Sequence, residues 1–221
     1  MCFTGTLVRL AFSANGPTLS QTDTGHAGIA WHKSDNALPS PDIQIFGRMH
    51  PQGVPGLNPV EGYAIMVGLM KPKSRGTVRL ASADPAATPV VDPNYFSDPV
   101  DIDAYVAGME LGVALGNGRG FDTLRKTQVS IPGGGREQTI EHIRANAGTY
   151  FHYVGTCAMG TDAQSPVDGM LRLRGVARLR VVDASVMPEV TCCNTHAPTL
   201  ALAERGAELV LAGEVVLHGR R

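Results

Sequence analysis

Two hydrophobic periods run along the chain, and the order in which they occur sets the expected architecture. Residues 1–16 follow neither clearly. AGIAW at 27–31 reads as a strand and is followed by the polar, proline-containing loop HKSDNALPSP. Asp42–Phe46 alternates polar and apolar residues as a half-buried strand does. After the Gly/Pro-rich passage PQGVPGLNPVEG come a predicted strand at Tyr63–Met70, a polar turn at Lys71–Arg75 and a further strand at Gly76–Ala81. The period then lengthens. Ser97-Asp98-Pro99 has the grammar of a helix start, a polar cap followed by proline in the first turn. Ile102, Tyr105, Val106, Met109 and Val113 recur at helical spacing, and the stretch Gly116 to Gly120 closes the element. The Gly-rich loop 133–135 precedes a second predicted helix over Arg136–Ala147, stopped by Gly148. A short strand around His152, an apolar strand Leu179–Val182 and a long helix Leu200–Leu211 complete the chain. Strands, then helices, then one strand and one helix predict an α+β fold. Its antiparallel or mixed sheet would carry flanking helices rather than regular βαβ units.

Composition narrows the class. With 221 residues the chain has room for one sizeable domain or two small ones. Its 43% hydrophobic and 18% charged residues are globular values, and 26 glycines with 15 prolines suit a turn-rich, sheet-containing fold. A net charge of −1 provides no basic footprint, which argues against a nucleic-acid partner. Cys2, Cys157, Cys192 and Cys193 form no C-x-x-C pair, so a structural zinc site is not expected. Adjacent Cys192 and Cys193 would bridge only with strain, and free thiols in a reducing compartment are the simpler expectation. No stretch reaches the length of a transmembrane helix. MCFTGTLVRLAF lacks a basic leader and carries Arg9 within its apolar run, so it makes a weak signal peptide; the cytoplasm is the expected location. Neither G-x-S-x-G nor H-E-x-x-H occurs, and the histidines are scattered, which disfavours an α/β-hydrolase and a metal enzyme.

Candidate chemistry concentrates between Tyr150 and Leu211. There YFHYVGTCAMG is followed by a Pro/Gly-rich loop, LRVVDASVMPEVTCC and NTHAPTLALAERGAELVL. Each residue has an ordinary structural reading. His152 among aromatics is a core histidine, Asp183 caps the turn after a strand, and Asn194 caps a helix whose first turn holds Pro198. Together they allow another arrangement, in which His152 and Asn194 stand side by side at a helix N-terminus, a place suited to negative charge.

These segments resemble, almost one for one, the C-terminal signature of the glucose–methanol–choline (GMC) flavin oxidoreductases: W-H-P-V-G-T-C-x-M-G, then L-R-V-x-D-x-S-x-x-P, then N-T-N-A-P-T. Upstream, KPKSRGTV, PVVDPNY and the helix after them resemble the family's middle pattern. The resemblance runs from about Pro17 to about Leu217. It implies a substrate-binding portion over 17–150 and a signature returning to the flavin domain over 151–221, with 1–16 unassigned. The strand and helix of that signature would complete an FAD-binding domain. No G-x-G-x-x-G lies between a strand and a helix, and Gly133-Gly134-Gly135 has the wrong spacing. The resemblance therefore implies only the C-terminal part of such an enzyme: a fragment, a truncated gene, or one chain whose partner carries the N-terminal FAD-binding half.

For the site, the resemblance implies that His152 faces flavin N5 and acts as base on the substrate hydroxyl or stabilises the alkoxide. Asn194, eleven residues after Asp183, takes the second active-site position. His196 replaces a frequent Asn and is a rival for that position. Asp183 and the Ala184 backbone would contact the ribityl–pyrophosphate region. Thr195, His196, Pro198 and Thr199 would form the helix start facing flavin N1–C2=O. Two departures, Phe151 for tryptophan and Tyr153 for proline, reshape the pocket wall without removing a reacting group. The implied activity is hydride transfer from a primary or secondary alcohol to FAD, as in an alcohol dehydrogenase or oxidase of the choline dehydrogenase type. The alternatives are a hydroxynitrile lyase-like, non-redox member and a non-catalytic binding or regulatory module.

Overall fold

A computed structural model describes residues 6–14, 26–49 and 61–218. Cys2, the first residues of the weak leader and most of the Gly/Pro-rich passage, 51–60, lie outside the described residues. The architecture is α+β, and its contacts divide into two compact units, one of 74–97 with the chain from 151 on, the other of the described residues up to 73 with 98–150.

The second unit is built on an antiparallel sheet. Strands β1 (Thr6–Ala14), β2 (His26–His32), β3 (Ile43–Met49), β4 (Gly62–Leu69) and β7 (Arg125–Ser130) lie in the order β2-β3-β4-β1-β7, and the short β8 (Gly148–Thr149) also pairs with β1. β4 is buried along its whole length, so its continuous apolar run follows from cover on both faces. β1, where the pattern predicts no element, runs beside it from Thr6↔Leu69 to Ser13↔Gly62. Val8, Leu10 and Phe12 are fully buried on one face, and Ala11 is buried on the other beside Arg9 and Ser13. That second-face burial blurs the alternation by which a strand is recognised.

Helix α1 (Pro99–Gly116) covers the Val8–Leu10–Phe12 face. Asp98 caps it by accepting from Val100 N at 2.9 Å, and Pro99 opens the first turn, as the sequence predicts. Glycines every fourth residue let the helix settle close. A Cβ at Gly112 would stand 2.8 Å from Val67 and 2.9 Å from Leu10, and one at Gly116 would strike the Phe12 ring. Buried polar groups tie helix to sheet: Tyr105 OH donates to Val67 O (3.2 Å), Tyr63 OH to Gly116 O (3.0 Å) and Lys73 N to Asp101 Oδ1 (2.6 Å). Helix α2 (Arg136–Asn146) follows β7 and matches its predicted span. On the other face of the sheet Phe46, Ala64, Met66 and Met70 pack with Tyr150, whose hydroxyl donates to the buried Gln44 side chain.

The first unit holds the hairpin β5 (Thr77–Arg79) and β6 (Val90–Asp92), and the long helix α3 (His196–His218). Two predicted strands are absent from it. The segment at His152 is irregular because Phe151 adopts φ 61°, which breaks extended geometry. The run Leu179–Val182, expected to complete an FAD-binding domain as a strand, lacks a full ladder. It lies antiparallel to 171–173 through Leu173 N→Leu179 O (2.9 Å) and Val181 N→Leu171 O (3.1 Å) alone. It packs instead on α3, where Gly206 leaves room for Val182. The interior here is two small clusters. Val167, Leu171, Val186 and Leu209 form one, and Val154, Met187 and Val190 the other, with Leu202 packed against both.

Candidate active site

Backbone hydrogen bonds join the two halves of the Tyr150–Leu211 signature. Asp183 accepts from Ser185 N at 2.8 Å and caps a 3-10 turn, Ala184–Val186. The carbonyls of that turn receive the loop after His152: Gly155 N and Cys157 N donate to Ser185 O at 3.0 Å, and Met159 N to Val186 O at 2.8 Å. Gly155 sits at φ 88°, a conformation natural to glycine, so the Val-Gly-Thr turn needs that residue. Asp183 thus serves as the turn cap of its structural reading, and Ala184 forms the first residue of the turn.

The structure brings His152, Asn194 and Thr195 together. Asn194 Nδ2 lies 3.0 Å from His152 Nε2, and Thr195 Oγ1 lies 3.1 Å from His152 Nδ1, so consecutive residues grip both ring nitrogens. His152 is half-buried and Asn194 exposed. Burial lowers the His152 pKa, which favours the neutral imidazole and with it a proton-accepting nitrogen. The Thr195 carbonyl accepts from Thr199 N (2.9 Å) and Thr199 Oγ1 (2.7 Å), which makes Thr195 the cap residue of α3. The helix begins four residues before the predicted Leu200, and His196 is its exposed first residue. The family resemblance implies a cofactor wall at Thr195, and the sequence carries no local sign of its contact with His152. The nearest signal was Pro198, three residues on. Thr191 Oγ1 donates to Cys193 O at 2.8 Å and steadies the strand of chain leading to Asn194. The described cysteines Cys157, Cys192 and Cys193 are free thiols.

This donor set fits a flavin chemically. The first N–H groups of a helix lack intrahelical acceptors and carry the positive end of its dipole, which suits an electron-rich ring carbonyl. Among the described residues no group of three or more His, Cys, Asp or Glu could hold a metal ion, and no helix is long and apolar enough to cross a membrane.

Residues 72–203 match the family model described as GMC oxidoreductase, and the chain belongs to that family. It is 41% identical over 153 residues to an alcohol dehydrogenase [acceptor] of Pseudomonas putida, covering 68% of this chain and 28% of that one. Over 214 residues it is 33% identical to an oxygen-dependent choline dehydrogenase of Paraburkholderia xenovorans, 95% of this chain and 38% of the relative. The pyridoxine 4-oxidase of Mesorbium loti shares its fold with a TM-score of 0.86 at 26% identity, over 94% of this chain and 42% of that chain. Formate oxidase of Aspergillus oryzae, studied for its FAD modification, has a TM-score of 0.85 at 20% identity over 98% and 47% of the two chains, a likeness of fold. The chain therefore spans less than half the length of each of these proteins.

Proposed function

We propose that this chain supplies the substrate-side residues of an FAD-dependent enzyme that oxidises a primary or secondary alcohol. The observation that carries the reading is the half-buried His152, its pKa lowered by burial, held between Asn194 and Thr195 at the start of α3. Oxidation of a CH–OH group requires the hydroxyl proton to leave as hydride departs. Imidazole accepts that proton and, once charged, donates to the same oxygen, whereas the Asn194 amide donates but takes no proton. Bound FAD would supply the hydride acceptor, with Asp183, Ala184 and the α3 start through Thr195, His196, Pro198 and Thr199 on its near side. No G-x-G-x-x-G occurs in the chain, so the pyrophosphate would be held by an FAD-binding segment lying outside these residues, preceding them or carried on a separate chain. Free thiols favour a reducing compartment such as the cytoplasm.

The test is reconstitution with the FAD-binding segment of a close relative, followed by anaerobic mixing with a panel of alcohols. Bleaching of the flavin absorbance by at least one alcohol is expected in the wild type, with a loss of rate in His152→Ala at equal flavin loading. A fully loaded complex that no alcohol reduces overturns the reading. Cleavage of a cyanohydrin without bleaching would assign the pocket to the lyase alternative.

A further inference from the structure

We propose that Thr195 is a positioning residue that fixes His152 as its Nδ1–H tautomer and so makes Nε2 the basic atom of the site. This inference rests on the reading above for its catalytic meaning and on the geometry alone for its chemistry. With the Asn194 amide turned so that Nδ2 faces the ring at 3.0 Å, the –NH₂ group has only donors to offer and meets a lone pair on His152 Nε2. In a neutral ring the single hydrogen then sits on Nδ1, 3.1 Å from Thr195 Oγ1, and the hydroxyl oxygen accepts it. A histidine side chain in water prefers the opposite, Nε2–H tautomer, so the site selects the less common one.

The sequence explains why this hydroxyl is available. A threonine capping a helix ordinarily accepts from the N–H of the second or third helical residue. Counting from His196, the third is Pro198, which has none. Pro198 thus removes one of the usual claims on the Thr195 side chain, while the Thr195 carbonyl still begins the helical ladder through Thr199. Tautomer selection by a hydrogen bond to the other ring nitrogen is a general way of setting a histidine's role.

The experiment uses the 221-residue chain with ¹⁵N-labelled histidine, the His152 signals being assigned by their loss in His152→Gln. Long-range ¹H–¹⁵N spectra distinguish a protonated from an unprotonated ring nitrogen directly. Wild type and Thr195→Ser are expected to show Nδ1–H with an unprotonated Nε2. Thr195→Val, which keeps the shape and loses the acceptor, should move the population towards Nε2–H with the Asn194 amide reversed. A wild-type ring protonated on Nε2 overturns the proposal, as does a folded Thr195→Val with the wild-type tautomer. Should Thr195→Val not fold, Thr195→Ala provides the same readout. In the reconstituted enzyme Thr195→Val should lower kcat roughly 10–100-fold, by analogy with the partners that orient metal-bound histidines, with KM little changed and activity recovered by Thr195→Ser. An inactive wild-type complex would refute the proposed reaction and leave the tautomer result standing, so the two failures are told apart.

Discussion

The sheet unit and the C-terminal unit are held together by different means. In the first, six paired strands and a close-lying helix bury a core that includes Phe12, Tyr63, Tyr105 and Met109. In the second, two small clusters share Leu202, and much of the rest is turn and cap: Asp183 on Ser185, Asp168 on Met170 and Arg172, Asp162 on Gln164 and Ser165. The candidate site lies wholly in the second kind of structure. Its residues are fixed by hydrogen bonds of defined direction, whereas the sheet unit is fixed by area removed from water, which has no direction. Function that depends on the placing of single atoms falls where single bonds decide position.

Substitutions in the two units should therefore fail differently. The largest effect is expected at His152: in a reconstituted enzyme His152→Ala should lower kcat/KM by roughly 10²–10⁴-fold, the worth of a positioned general base. Asn194→Ala should cost about 10²–10³-fold, as for one oxyanion donor. His196→Ala should change little. Flavin content measured beside each rate separates chemistry from cofactor loss, and an Asn194→Ala that retains its rate while His196→Ala loses it would move the second role to His196. Neither His152→Ala nor Asn194→Ala should greatly alter the denaturant midpoint of the sheet unit. Gly112→Ala should do the reverse. It drives a methyl group against Val67 and Leu10 and should destabilise by about 1–3 kcal/mol in chemical denaturation, the usual cost of overpacking. Asp98→Ala, removing the α1 cap, should cost about 1 kcal/mol by the same measurement.

The smallest effect is a pH dependence that samples both units. Burial lowers the pKa of His152 in one and of His142, on α2, in the other. The Nε2 atom of His142 is buried without a hydrogen-bond partner among the described residues. In the unfolded chain each would titrate near its ordinary value of about 6.5. Below that pH the unfolded state binds more protons, so stability is fully present above it and declines as pH falls towards the lowered folded values. Thermal melts between pH 8 and pH 5 should show this decline. His142→Gln should flatten it in the sheet unit's transition, and His152→Gln should leave that transition's slope unchanged. A slope identical in the wild type and both variants would place its origin elsewhere.

The sequence was most informative where one period held over a whole element. β3, α1 and α2 follow from alternation, helical spacing and caps, and β4 from an unbroken apolar run between turn-rich segments. β1 did not, because Ala11 is buried opposite Leu10 and Phe12. β7 did not either, because Arg125-Lys126-Thr127-Gln128 is polar along a largely exposed strand. Leu179–Val182 has the composition of a strand but only part of a ladder in this chain. In the site, His152 and Asn194 were legible from the motifs around them. The part played by Thr195 was not, since a contact spanning 43 positions leaves no local trace.

The glycines of α1 have a mechanical consequence. At Gly108, Gly112 and Gly116 the helix meets Val67, Ile43, Leu10 and Phe12 without a side chain of its own. Those three positions form a smooth rail, a line of the helix with no side chains to catch on the strands. Beside the buried side chains of Ile102, Tyr105, Val106 and Met109, three pins resist sliding: the Tyr105 hydroxyl on Val67, the Tyr63 hydroxyl on Gly116 and the Asp101 carboxylate on the Lys73 amide. The pins lie near the two ends and the middle of an 18-residue helix, so they index its axial position to the strands beneath.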